Sequence, residues 1–161
     1  MSTTTFTILI WTVALACAAM SGVYFTFSSF VMGSLQALPS DEGAAAMQSI
    51  NREILRSAFM PVFFGSTLAA LGLAAWGWAS WGSPETPWLI AGGLLYVIGM
   101  FVWTALFNVP LNDALDAVDA KSLEGAKLWS DYLVTWTRHN SFRAAASMAA
   151  AMAFLWAAAL R

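Results

Sequence analysis

The segment Trp136-Thr137-Arg138-His139-Asn140-Ser141-Phe142-Arg143 holds the only histidine of the chain and two of its five arginines, immediately before a long apolar run. Within and before it, Trp129, Tyr132, Trp136, His139 and Arg143 are spaced 3, 4, 3 and 4 apart. At about 100° per residue they fall on one helical stripe. Imidazole is the side chain whose ordinary titration range suits a general base near neutrality. A guanidinium suits a developing oxyanion. Three carboxamides add fixed polar groups. Asn51 sits in the middle of an apolar face formed by Met47, Ile50, Ile54 and Ala58, and a carboxamide buried without partners costs a few kcal/mol. Asn108 and Asn112 flank a proline in Asn108-Val109-Pro110-Leu111-Asn112, where the missing backbone donor predicts a kinked or terminated helix. Tyr24, one turn before Ser28, completes the set. Together these residues would give a pocket aromatic surface with a few fixed polar groups, the composition of a small-molecule site.

The elements that must position them are transmembrane helices. Of the 161 residues, 60% are hydrophobic and only 10% charged, against about 25% charged in soluble domains. The mean hydropathy is +0.68. No charge occurs before Asp41, and residues 57–84, 86–112 and 144–160 are also free of charge. A spanning helix takes roughly 20 apolar residues, which predicts an all-α, single-domain chain with four transmembrane helices at about residues 6–30, 59–82, 87–108 and 139–160. These runs lack period-two alternation and are too long for barrel strands. Residues 41–58 and 113–138 read as helical cap segments on one membrane face. The opposite connection is the short turn Trp81-Gly82-Ser83-Pro84-Glu85-Thr86-Pro87, with Trp81 and Trp88 as interface anchors. Small residues mark expected close approaches: Gly65, Ala69 and Gly72, then Gly92 and Gly99, then Ala145, Ala149 and Ala153.

Charge placement sets orientation and partners. Arg52, Arg56, Lys121 and Lys127 lie in the long connections, whereas the opposite side has only Arg161, so the long connections are expected in the cytoplasm and both termini outside, as in a bacterial inner-membrane protein. A net charge of −2 without a basic cluster gives no case for nucleic acid as a partner. The lone cysteine, Cys17, allows no intrachain disulfide and reads as a packed small residue. Arg143 falls inside the apolar slab, where a cation costs on the order of 2.5–3.5 kcal/mol unless it faces the bundle or snorkels. Snorkelling of Arg143, solvation of His139 and simple capping by the asparagines are the structural alternatives to a site.

The blocks Gly22-Val-Tyr-Phe-Thr-Phe-Ser-Ser-Phe-Val-Met32, Met47-Gln-Ser-Ile-Asn-Arg-Glu-Ile54, Asn108-Val-Pro-Leu-Asn112 and Trp129-Ser-Asp-Tyr-Leu-Val-Thr-Trp-Thr-Arg-His-Asn-Ser-Phe-Arg143, in this order, resemble the anthrone oxygenase-like family of small four-helix integral membrane proteins. The resemblance covers nearly the whole chain. It implies oxidation of an anthrone-like phenol or ketone to a quinone, with a hydrophobic aromatic molecule, O2 and the lipid bilayer as partners and a homo-oligomer as one possible state. In such a reaction the residues divide into a base and anion stabilisers (His139, Asn51 and Arg143) and substrate contacts (Asn108, Asn112, Tyr132, Trp136 and Tyr24). No cofactor or metal is expected: bis-histidine haem needs a second histidine, the Glu-x-x-His motifs of di-iron bundles are missing, and no glycine-rich nucleotide loop appears. Two rival readings stay open, a small carrier or accessory subunit binding a hydrophobic ligand in the same pocket, and a polar cluster that only locks the cap to the bundle.

Overall fold

A computed structural model describes residues 2–161, and every element in it is helical. The five helices are α1 (Thr3–Gln36), α2 (Ser40–Ile54), α3 (Phe59–Ala79), α4 (Thr86–Asp116) and α5 (Leu123–Ala159). All but α2 are long and apolar enough to cross a membrane, as in a multi-pass membrane protein. Three of the four spans run past their expected limits, because a helix does not stop where the lipid does. At 1.5 Å per residue, α5 is about 55 Å long, far more than the roughly 30 Å hydrocarbon core. Its first half is the wall on which the cap is built. Residues 113–138, expected as one cap segment, are therefore the end of α4, a turn and the start of α5. Ser122 caps α5 by accepting from the Gly125 amide at 2.9 Å.

Pro110 neither ends nor interrupts helix α4. The two stretches before it, Val97–Val102 and Thr104–Asn108, are π-helical. Wider turns shift the hydrogen-bond pattern by one residue, so a proline's missing donor and its ring are accommodated without a break. A third π-helical turn, Phe27–Val31, lies in α1.

Packing is closest where glycine allows it. A Cβ on Gly93 would lie 2.4 Å from the Ala74 Cβ, and one on Gly99 would lie 2.7 Å from the Ala146 Cβ. Gly92 meets the Phe154 ring in the same way. Gly65 and Gly72, expected as contact residues, face open space, and Ala145 is exposed whereas its neighbours Ala144 and Ala146 are buried. Cys17 is fully buried and free. At the end away from the cap, Gly82 turns with φ +107°, and Arg161 pairs with Glu85 at 2.5 Å and lies over the Phe6 ring.

The cap is a second core. Met47 and Ala44 of α2 bury against Met32, Leu35, Leu115, Trp129 and Tyr132. Gly43 is required there, since a Cβ would stand 2.6 Å from the Leu35 carbonyl oxygen and 3.2 Å from the Trp129 ring. Gln48 donates to the carbonyls of Leu115 and Val118 at 2.7 and 3.0 Å, satisfying acceptors at the end of α4 that no helical amide reaches. An Arg52–Asp116 ion pair joins the same two helices on the surface.

Candidate active site

Helix α3 packs against α4 along Thr86–Tyr96 and diverges from it toward the cap. The space opened between them is a cavity of about 260 Å³, near the lower end of the small-molecule range. Phe59, Phe63 and Phe64 of α3 and Phe101 of α4 line one side, with Phe63 stacked on Phe59 at 5.8 Å. Tyr24 and Phe27 of α1 and Trp136 of α5 line the other, and Met47, Ile50 and Ile54 of α2 form the roof. Leu55, Phe64 and Val109 of the lining are 65, 47 and 41% exposed. The cavity therefore opens sideways between α3 and α4, beside the α2–α3 connection, through apolar groups.

Polar groups gather at two places in this apolar shell. The first is Arg143, only 6% exposed. Its Nη2 donates to the Asn140 Oδ1 at 2.7 Å and its Nη1 to the Thr104 Oγ1 at 3.1 Å. Its guanidinium carbon lies 4.4 Å from the Tyr24 ring centre and 5.5 Å from that of Trp136. The Nε is buried without an acceptor. Among the described residues, the ion pairs are those of Arg52 and Arg161, so Arg143 is a buried cation held by neutral dipoles and ring faces. Asn140 is fixed in turn, donating to the Tyr24 carbonyl at 2.6 Å and the Ser28 hydroxyl at 2.7 Å.

The second polar place is under the cap. Asn112 Oδ1 accepts from the Trp136 Nε1 and from the Tyr132 hydroxyl, both at 2.8 Å. The Asn51 Nδ2 donates to the Tyr132 oxygen at 3.5 Å. Trp129, Tyr132 and Trp136 stack in a column with ring centres 5.7 and 5.8 Å apart, so successive turns of α5 brace this network.

Of the eight site residues expected from sequence, Arg143, Asn51, Asn112, Trp136 and Tyr24 line the one cavity. Tyr132 stands behind the wall, bonded to two of them. Asn108 is 1% exposed and outside the lining; its Nδ2 donates to the Trp136 carbonyl at 3.4 Å and its Oδ1 is buried without a partner. His139 does not face the cavity. Its ring stacks on Phe107 at 4.8 Å and 12° and lies 5.7 Å from Trp103. The expected role as base therefore has no geometry here. The reason is angular: on α5, Trp136, Asn140, Arg143 and Ser147 share the buried face, and at about 100° per residue His139 points some 70° from its centre.

Asn140 and Thr104 are the residues that sequence reasoning missed. Asn140 carried a signal, since it lies four residues after Trp136 and three before Arg143. Thr104 looks like any threonine in an apolar span.

No curated protein and no solved structure matches the chain. The family model described as anthrone oxygenase matches residues 53–153, which span α3, α4 and most of α5, including Thr104, Asn112, Trp136, Asn140 and Arg143. That match covers well over half the sequence and suggests an oxygenase-like role, and by it the chain belongs to the anthrone oxygenase family.

Proposed function

We propose that this protein is a membrane-embedded oxygenase that oxidises the ring CH2 of a lipophilic, anthrone-like phenol or ketone to a quinone carbonyl with O2. One observation carries the reading: a guanidinium buried at the wall of an apolar, aromatic cavity, with no carboxylate to neutralise it and only two of its five N–H groups hydrogen-bonded. A buried cation without a counter-charge is costly, and an anionic ligand removes that cost.

The chemistry follows from ionisation of the substrate. Loss of a ring CH2 proton to water gives an enolate whose negative charge rests mainly on oxygen, and Arg143 stabilises that oxygen. The proton acceptor is solvent because the lining supplies no carboxylate, imidazole or amine. The electron-rich ring carbon passes one electron to O2, and the resulting radical and superoxide combine to form a C–O bond. Protonation gives the hydroperoxide, which loses water across its C–H and O–O bonds to leave the second carbonyl. One oxygen atom enters the quinone and the other leaves as water. Electrostatic stabilisation of the anion is the kind of term that usually dominates such catalysis. Phe59, Phe63, Tyr24 and Trp136 offer flat surfaces for the rings, and the sideways opening suits a substrate dissolved in the bilayer. The orientation that puts the cap in the cytoplasm, in a bacterial inner membrane, belongs to the same proposal.

The test is oxidation of anthrone under ¹⁸O2 by the purified protein in lipid nanodiscs. One labelled oxygen per quinone is expected, formed faster than in empty nanodiscs. Formation at the empty-disc rate overturns the proposal, and saturable anthrone binding in that case marks the protein as a carrier.

A further inference from the structure

We infer that the pair Asn51–Asn112 reads a hydroxyl group on the ligand, on the edge of the ring system remote from the oxygen held by Arg143; this rests on the oxygenase reading for its substrate but not for its binding test. The argument starts from what each group can do. An indole N–H only donates, so the end of the Asn112 side chain that faces the Trp136 Nε1 at 2.8 Å must be its oxygen. The Tyr132 hydroxyl, 2.8 Å from the same oxygen, must then be the donor. With its hydrogen committed, the Tyr132 oxygen can only accept, so the end of Asn51 that approaches it must be its NH2. A single donor-only group thus sets the orientation of both carboxamides through a directed relay.

The consequence lies at the free ends. Among the described residues, neither the Asn112 Nδ2 nor the Asn51 Oδ1 has a hydrogen-bond partner, and both residues line the cavity. The relay therefore leaves one donor and one acceptor, in fixed identity, at the cap end. A hydroxyl group, which donates one hydrogen and accepts at its lone pairs, matches that pair. A bare ring edge leaves both unsatisfied, and a site built to hydrogen-bond a hydroxyl discriminates strongly against the analogue lacking it. The Arg143 end differs, because a guanidinium has donors and no acceptor. The two ends are thus chemically distinct, one for an oxyanion or carbonyl and one for a neutral hydroxyl. They are also close: the guanidinium carbon is 5.5 Å from the Trp136 ring centre, and that indole's N–H is 2.8 Å from Asn112. One fused-ring molecule can touch both.

The experiment compares 2-hydroxyanthraquinone with anthraquinone by quenching of tryptophan fluorescence, and 2-hydroxyanthrone with anthrone by quinone formation, using the full chain in nanodiscs. The wild type is expected to prefer the hydroxylated member about tenfold in Kd and in kcat/KM, the scale of one net hydrogen-bonded pair. Asn51→Ala removes the acceptor, and Asn112→Ala removes the donor together with the oxygen that anchors the relay. Each is expected to bring the ratio to within about threefold of one. Tyr132→Phe releases Asn51 while Trp136 still orients Asn112, and is expected to lower the ratio to about threefold. A ratio does not depend on how much of a preparation is folded. Equal binding of the two anthraquinones by the wild type overturns the inference, as does a preference that all three variants retain. A hydroxyl preference in binding without turnover of either anthrone upholds it while the oxygenase reading fails.

Discussion

Arg143→Met separates a functional guanidinium from a structural one, because the two readings give stability changes of different size and sign. Removing the side chain's charge deletes two hydrogen bonds, to Asn140 and Thr104, and leaves the Asn140 Oδ1 short of a donor, at about 1–3 kcal/mol for a stranded buried group. It also removes the cation–ring contacts with Tyr24 and Trp136, worth about 1–2 kcal/mol. Against these stands relief from holding an ion that no carboxylate balances, an effective penalty of several kcal/mol. The opposing terms are similar in size, so the thermal midpoint of the empty protein is expected to stay within a few degrees of wild type or to rise. Activity behaves otherwise. A lost oxyanion donor lowers turnover by about 10²–10³-fold, or roughly 2.7–4 kcal/mol, and anthrone oxidation by the variant should fall in that range. The assays are scanning fluorimetry without ligand and quinone absorbance with anthrone, on the same nanodisc preparation. A variant that oxidises anthrone within about threefold of wild type refutes the reasoning. A midpoint that collapses together with activity refutes it too, since that pattern belongs to a structural lock.

His139→Ala is expected to keep its rate of anthrone oxidation and to lose about 0.5–1.5 kcal/mol of stability with the Phe107 stack; a rate loss as large as that of Arg143→Met would restore the imidazole as the base. Gly93→Ala pushes a methyl to 2.4 Å from the Ala74 Cβ and should cost about 1–3 kcal/mol by overpacking, whereas Gly72→Ala, facing open space, should be neutral or gain up to about 1 kcal/mol of helix propensity, both read from thermal midpoints. Ala105→Trp, at an exposed position of the cavity lining, should raise KM for bilayer-dissolved anthrone several-fold with little change in midpoint; an unchanged KM would place the entrance elsewhere.

The four spans were legible because lipid imposes a simple rule: about 20 residues without charge, and every backbone group bonded within its own helix. Where that rule ends, so did the legibility. The turn at residues 117–122 and the continuous α5 both lie where water can satisfy the backbone, and hydropathy carries no boundary there. Pro110 was misleading for a different reason. Proline removes one i→i−4 bond, but the sequence does not say whether neighbouring turns will widen to absorb the loss, and in α4 they do so over Thr104–Asn108. Of the glycines expected at close approaches, Gly92 and Gly99 make them and Gly65 and Gly72 do not, since a missing side chain permits contact without choosing the face that makes it.

The site shows what spacing alone can and cannot decide. A 3–4 repeat identified a stripe on α5, yet a stripe has a width of some 100° and a centre that depends on every member. Trp129, Tyr132, Trp136 and Arg143 fit a stripe whether its centre lies toward His139 or toward Asn140. Burial favours the latter: Asn140 and Ser147 are both 0% exposed, while His139 is half-buried. The physical cause is the partner helix. α5 makes its most extensive contact with α1, where Tyr24 and Ser28 offer a carbonyl and a hydroxyl that only a two-ended carboxamide can use while also holding a guanidinium. That three-way fit of Asn140, with donors toward α1 and its acceptor toward Arg143, turns the stripe. A pattern within one helix states which residues share a face; the groups presented by the neighbouring helix state which face turns inward, and here those groups call for the asparagine.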